Sequence, residues 1–238
     1  MQSLSFADPV LILEAATSAG SVALLQDGAP DVVRLVTMGV GREDHLFPAI
    51  QSVLAERGVS PSALGAVVCG AGPGSFTSLR IAAALAKGLA HGGNVPLYAV
   101  PSLALAAGAL PADAPAGRYV VHADALRGER YALPVIRSDD GMIAPAGELA
   151  RVSVDALATT STSAERIAVG PPIADLVSDW HVDPSAGALR LVGGAWREAS
   201  VSLADWEPDY GRLAEAQVKW EAAHGTTLPA SVLRPTMA

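Results

Sequence analysis

The chain reads as an α/β protein of two lobes, each a mixed β-sheet with flanking helices. Three observations predict this. Short apolar runs of strand character alternate with helical stretches along the 238 residues. A strand, a glycine-punctuated loop and a helix follow one another between Ala66 and His91. After a proline- and alanine-rich stretch around 106–117, the opening strand–turn–strand pattern begins again.

Val10 to Ala15 forms the first strand, Ser21 to Gln26 the second and Asp31 to Val36 the third, separated by turns at 17–20 and at Asp27-Gly28 with Pro30. Such short turns make an antiparallel meander. Leu46, Phe47, Ile50, Val53 and Leu54 then recur at helical spacing, and Gly58 stands where a C-terminal cap belongs. Pro48 is tolerated only in a first turn, so this helix starts near Asp44 or His45. Ala66 to Cys69 is a buried strand, and Gly70, Gly72, Pro73 and Gly74 form the loop. Ser75 or Thr77 caps the next helix, which runs to His91, and Pro96 to Val100 is a further strand. Three antiparallel strands, then helix, strand, helix, strand, is the half-unit of the actin and sugar-kinase superfold. Tyr119 to Ala123 and Arg130 to Arg137 open a second such unit, and Ile167 to Gly170 with 173–177 adds a strand and a helix. The expected division is a first lobe over 1–105, a connection over 106–118, a second lobe over 119–222 and a loose tail over 223–238.

Composition narrows the function. A hydrophobic content of 50% supplies ample core, while a formal net charge of −8 argues against a phosphate-binding surface on this chain. The single cysteine, Cys69, lies in an apolar strand and rules out an intrachain disulfide or a cysteine zinc site. The first residues lack the basic start and apolar stretch of a signal peptide, and no apolar run approaches membrane-spanning length, so a cytoplasmic protein is expected. The histidines, His45, His91, His122, His181 and His224, are too dispersed for a local metal motif and read as surface or singly bonded residues.

The glycine loop fails three familiar chemistries. A P-loop needs Lys-Ser/Thr after its last glycine, but Phe76-Thr77 follow Ser75. The dinucleotide fingerprint needs glycine at 75, and a nucleophile elbow on Ser75 needs glycines at 73 and 77. Gly70-x-Gly72-Pro73-Gly74-Ser75-Phe76-Thr77-x-Leu79-Arg80-Ile81, with Ala86-Lys87-Gly88-Leu89-Ala90 beyond it, instead resembles the signature of the TsaB (YeaZ) family, which usually has glycine where this chain has Ser78. Asp124-Ala125-x-x-Gly128-Glu129-x-Tyr131 and Pro208-x-Tyr210-x-Arg212 are similar to that family's later segments.

The resemblance implies an actin-like pseudoenzyme that supports the transferase TsaD in forming N6-threonylcarbamoyladenosine in tRNA, with the ATPase TsaE as a third component. It further implies that tRNA is reached only through the complex, that ATP and metal are used by the partner subunits with no cofactor held by this chain alone, and that a homodimer through the same helices is available. The position matching the superfold's metal-organising aspartate is Ala16, with Glu14 farther from the turn. Where the catalytic paralogue carries His-x-x-x-His, this chain has Pro101-Ser102-Leu103-Ala104-Leu105. No catalytic residue is therefore assigned. Asp124 is the one candidate for a second phosphate-hairpin carboxylate, and a turn-forming role suits it better. The helix from Leu79 is rich in alanine and slim enough for close packing, so the partner-binding residues are expected among Leu46, Ile50, Ser75, Phe76, Thr77, Leu79, Arg80, Ala83 and Lys87. The competing reading is an enzyme, either an ATP-dependent phosphotransferase of this superfold or a glycoprotease-like metalloenzyme.

Overall fold

A computed structural model describes residues 3–39, 45–125, 128–160, 164–170, 176–211 and 223–225. β1 (Val10–Glu14), β2 (Ala19–Leu25) and β3 (Val32–Thr37) form the expected meander, and β4 (Ala66–Gly70) and β5 (Leu97–Val100) add in parallel, giving a sheet ordered β3-β2-β1-β4-β5. Apolar side chains on both faces of β1 are buried, because this sheet is covered on both sides. α1 (Leu46–Arg57) lies over β2 and β3, and α2 (Phe76–Gly93) lies over β4. α1 stops at Gly58 in the left-handed conformation, as its sequence predicts, and α2 runs past His91 to a left-handed Asn94.

The opposite face packs on α3 (Ser102–Gly108), all of whose residues are buried. The alanines read as part of a connection thus continue into a helix core. Alanine and glycine there let two sheets approach one short helix: a Cβ on Gly108 would come within 3.0 Å of the Ala188 carbonyl. Across α3 stands the second sheet, ordered β11-β10-β6-β7-β8, from β6 (Gly117–Asp124), β7 (Glu129–Arg137), β8 (Ile143–Pro145), β10 (Glu165–Val169) and β11 (Trp180–His181). β9 (Ala150–Ser153) pairs with β7, and α4 (Val154–Thr160) closes part of the outer face by packing its Leu157 with Ala132 and Leu176. Two mixed sheets with helices between and outside them make the actin-like fold that the element order predicts.

The short elements β8, β9, β11 and α4 carry no strong periodicity and are absent from the sequence reading. The helix expected over 173–177 falls mostly outside the described residues, and its last two, Leu176 and Val177, are not helical. Asp44, Arg212 and 226–238 also lie outside the described residues. Among the described residues no helix is long and apolar enough to cross a membrane.

Residues 201–211 return from the second lobe to the first as a strap. Val201 donates to the Leu97 carbonyl at 2.8 Å at the edge of β5, and Asp209 N–H donates to the Ala71 carbonyl at 2.7 Å. Gly72, at φ +85°, is bare because a Cβ there would meet the Asp209 carbonyl oxygen at 2.2 Å.

Candidate functional site

Two places could carry function: the outward face of α1 and α2, and the cleft between the lobes. A helix lying on a sheet turns its bulk inward. Leu46, Ile50 and Leu79 are accordingly at most 1% exposed and Ala83 is 5% exposed, all directed into the chain's own interior. Those residues, expected at a partner surface, are corrected to core. α2 leaves Thr77, Arg80, Ala84, Gly88, His91 and Gly92 exposed; Thr77, Ala84 and Gly88 make a small-residue stripe among them, and a Cβ on Gly88 would meet open space. Beside it, α1 leaves Phe47 at 48% exposed, with Pro48 and Gln51 also outward.

Phe76, Arg80 and Lys87 occupy a third face of α2, along the strap. The Phe76 ring stacks on Tyr210 with centroids 4.6 Å apart, the Arg80 guanidinium lies 5.3 Å from the centre of Phe76, and the Lys87 ammonium lies 5.8 Å from that of Trp206. Lys87 and the Phe76 ring hold down the molecule's own tail segment, while Arg80 lies over Phe76 one turn away on the same helix, both cations in arrangements of the cation–π type. Ser75 marks the start of α2 but gives it no side-chain cap. Its hydroxyl pairs with that of Ser78 at 3.1 Å, and Thr77 lies inside the helix. Here Ser78, the departure from the family signature, takes up the hydroxyl that would otherwise cap.

The cleft holds a cavity of about 280 Å³ bordered by Ala16, Gly74, Ser75, Asp124, Tyr131 and Tyr210. Asp124 is its one charged lining residue among those described. Ala16 is pressed against the loop, with a Cβ on Gly74 reaching its carbonyl at 2.3 Å. The acid at this end of β1 is Glu14. Its side chain folds back over the turn so that Oε1 accepts the Ala16 N–H at 2.7 Å, closer to the loop than its sequence position suggests. Burial raises its pKa from an ordinary 4.5 to about 7, against the lowering effect of the Ala16 hydrogen bond and, more weakly, of the Ser102 hydroxyl and the Ala15 backbone nearby. A carboxyl this buried, half neutral at pH 7, is a poor holder of a hydrated divalent ion.

In the second lobe His122 is 1% exposed, not the surface residue expected. Arg130 donates to its Nδ1 from Nε at 3.2 Å, with Nη2 2.9 Å away, so the ring proton sits on Nε2 and is directed at the Ser178 hydroxyl at 2.8 Å. Burial first, and then the Arg130 charge, push the His122 pKa down to about 4. An imidazole with its lone pair already taken cannot accept the Ser178 proton, so this pair does not form a nucleophile and its base. Among the described residues no three His, Cys, Asp or Glu side chains gather as metal ligands.

Residues 42–166, more than half of the chain, match the family model described as TsaD, tRNA N6-adenosine threonylcarbamoyltransferase. The Escherichia coli (strain K12) protein named tRNA threonylcarbamoyladenosine biosynthesis protein TsaB is 34% identical over 134 residues, 56% of this chain and 57% of that protein. Its Haemophilus influenzae namesake is 33% identical over 128 residues, 54% of each. The chain thus spans about half the length of the curated relatives it matches. The solved structure of YeaZ from Pseudomonas aeruginosa superposes with a TM-score of 0.71 at 27% identity, covering 84% of this chain and 98% of that one. A second structure, titled an uncharacterized protein with similarity to peptidase YEAZ from the same organism, gives 0.72 at 29% identity over 86% and 100%. With the family model spanning its glycine loop and α2, and YeaZ matched almost end to end, the chain belongs to the TsaB/YeaZ family.

Proposed function

We propose that this chain is a non-catalytic scaffold in the formation of N6-threonylcarbamoyladenosine in tRNA, docking on a TsaD-type transferase through the outward ridge of α1 and α2. The observation that carries the docking is the ridge itself. Thr77, Ala84 and Gly88 form a stripe of small residues on the outward face of α2, edged by the exposed Arg80 and His91, on the same side of the sheet as α1 with its half-exposed Phe47. Such a ridge admits a partner helix at short interaxial distance.

The cleft supports the non-catalytic half of the reading. The carboxyl at the end of β1 is buried behind the cavity wall with its pKa raised by that burial, and the buried His122 of the second lobe, which does not line the cavity, has no lone pair to offer. ATP and metal then belong to the partner subunits, with TsaE among them. The acidic balance of this chain leaves tRNA to be held by the assembly. In the partner's absence a second copy covers the same ridge, and the setting is the cytoplasm.

Capture by the cognate TsaD tests the docking. Ala84→Glu and Gly88→Glu face solvent, so they leave the fold intact and cut capture at least tenfold. Leu79 and Ala83 are unsuitable because a charge there is buried and unfolds the lobe. Undiminished capture by both folded variants overturns the assignment of this ridge.

A further inference from the structure

A buried carboxyl with one unpartnered oxygen lies under the glycine loop. Glu14 is fully buried, its Oε1 takes the Ala16 N–H, and its Oε2 has no hydrogen-bond partner. The carboxyl is packed onto the bare Cα of Gly70, where a Cβ would come within 2.0 Å of Oε2 and 3.1 Å of the Ser102 hydroxyl.

Around this carboxyl the loop is pinned on every side. Ser75 N–H donates to the Ala16 carbonyl at 2.8 Å, Ala71 N–H to that of Val100 at 2.7 Å, and Ser102 N–H to that of Gly72 at 2.9 Å. Gly72 N–H in turn donates to the Ser102 hydroxyl at 3.1 Å. Ala16 and Ser102, which make three of these four pins, both border Glu14 and also line the cavity.

Few charges face the site. From β4 comes Cys69, a buried thiol whose pKa is pushed up by its burial and by the Glu14 charge. α3 and the turn at 15–18 present only Ser102, Thr17 and Ser18, which do not titrate in this range. Across the cavity stand Asp124, Tyr131 and Tyr210. Among the described residues no cation acts on Glu14.

We propose that Glu14 is a proton-operated latch for the loop that starts α2. With the carboxyl neutral, β1, β4 and α3 close over it and hold the loop. With the carboxyl ionised, a buried charge with one idle oxygen draws water in from the adjoining cavity, and the pins at Ala16 and Ser102 loosen. The cost of an uncompensated buried charge far exceeds that of one unmade neutral hydrogen bond, which is what drives the change. Burial sets the transition near pH 7. The latch concerns this chain's own loop and holds whatever docks outside.

The test uses the full chain with carbon-13-labelled glutamate carboxyls, and hydrogen exchange over 70–79 between pH 5.5 and 8.5, corrected for intrinsic rates. The Glu14 carboxyl is expected to titrate near 7. Loop exchange is expected to rise about tenfold across the same range, with α1 and the second sheet unchanged and the rise abolished in Glu14→Gln. Titration near 4.5, flat exchange, or an equal rise in Glu14→Gln overturns the latch. Should that variant fail to fold, the unmodified chain still decides: carboxyl and exchange midpoints that disagree by more than about a pH unit overturn it.

Discussion

The two lobes share one strand plan and complete it differently. The order β3-β2-β1-β4-β5 in the first sheet is repeated as β8-β7-β6-β10-β11 in the second, with β1 and β6 in corresponding places. In the first, helices of 12 and 18 residues cover the outer face, whereas in the second, among the described residues, the seven-residue α4 is the helix that does so. A shared plan thus gives the first lobe a long helical exterior, and the described part of the second a short one. The buried titratable groups differ as well. Glu14 leaves one oxygen idle, while both ring nitrogens of His122 are engaged.

The largest effect expected from this comparison is at the glycines. Gly72→Ala sets a Cβ against the strap's backbone at a positive φ, whereas Gly170, which follows β10, has a similar φ of +86° and open space around it. Urea unfolding is expected to show a loss above about 4 kcal/mol for the first and about 1–2 kcal/mol for the second. Equal losses would break the asymmetry.

Next come two pH dependences of opposite sign. Glu14 has a folded pKa of about 7 against an ordinary 4.5, so the folded state holds more protons between those values. Its contribution is complete below 4.5 and falls by about 3 kcal/mol as pH rises through 7. His122 has a folded pKa of about 4 against 6.5, so its contribution is complete above 6.5 and falls by about the same amount as pH drops through 4. Between 4.5 and 6.5 the two slopes cancel. Glu14→Gln is expected to remove the alkaline loss and His122→Gln the acid loss, as read from thermal melts across that range. Slopes that survive both changes refute the assignment.

The smallest effect concerns the strap. Lys87→Met removes a cation–π contact at a half-buried position and is expected to cost at most about 1 kcal/mol by the same unfolding measurement. A larger loss would mean that the strap carries more of the first lobe than its contacts suggest.

Much of the architecture was legible because it depends on local signals. The meander, α1 ending at Gly58, the glycine loop and the β6–β7 hairpin all follow from apolar runs and turn residues. α3 escaped because its alanines, followed by Pro111 and Pro115, look like a connection, and only the second sheet packed across it makes a core of them. Leu46, Ile50, Leu79 and Ala83 were misplaced for a related reason. Periodicity shows that a helix has an apolar face but not which layer that face meets. Arg80 and Lys87 were read as rim cations; the i, i+4 spacing of Phe76 and Arg80 does bring that pair together, but nothing local announces that Trp206 would engage Lys87. Glu14 looked too far from the turn because sequence distance does not show a side chain bending back over Ala16.

The strap also sets an order of assembly. Val201, Trp206 and Tyr210 leave the ribosome about a hundred residues after the strands and helix they cover, so the flank of α2 stays bare until they emerge. A nascent chain stopped before 201 therefore displays aromatic and alanine surface that the finished protein conceals, and it is the form most in need of a chaperone.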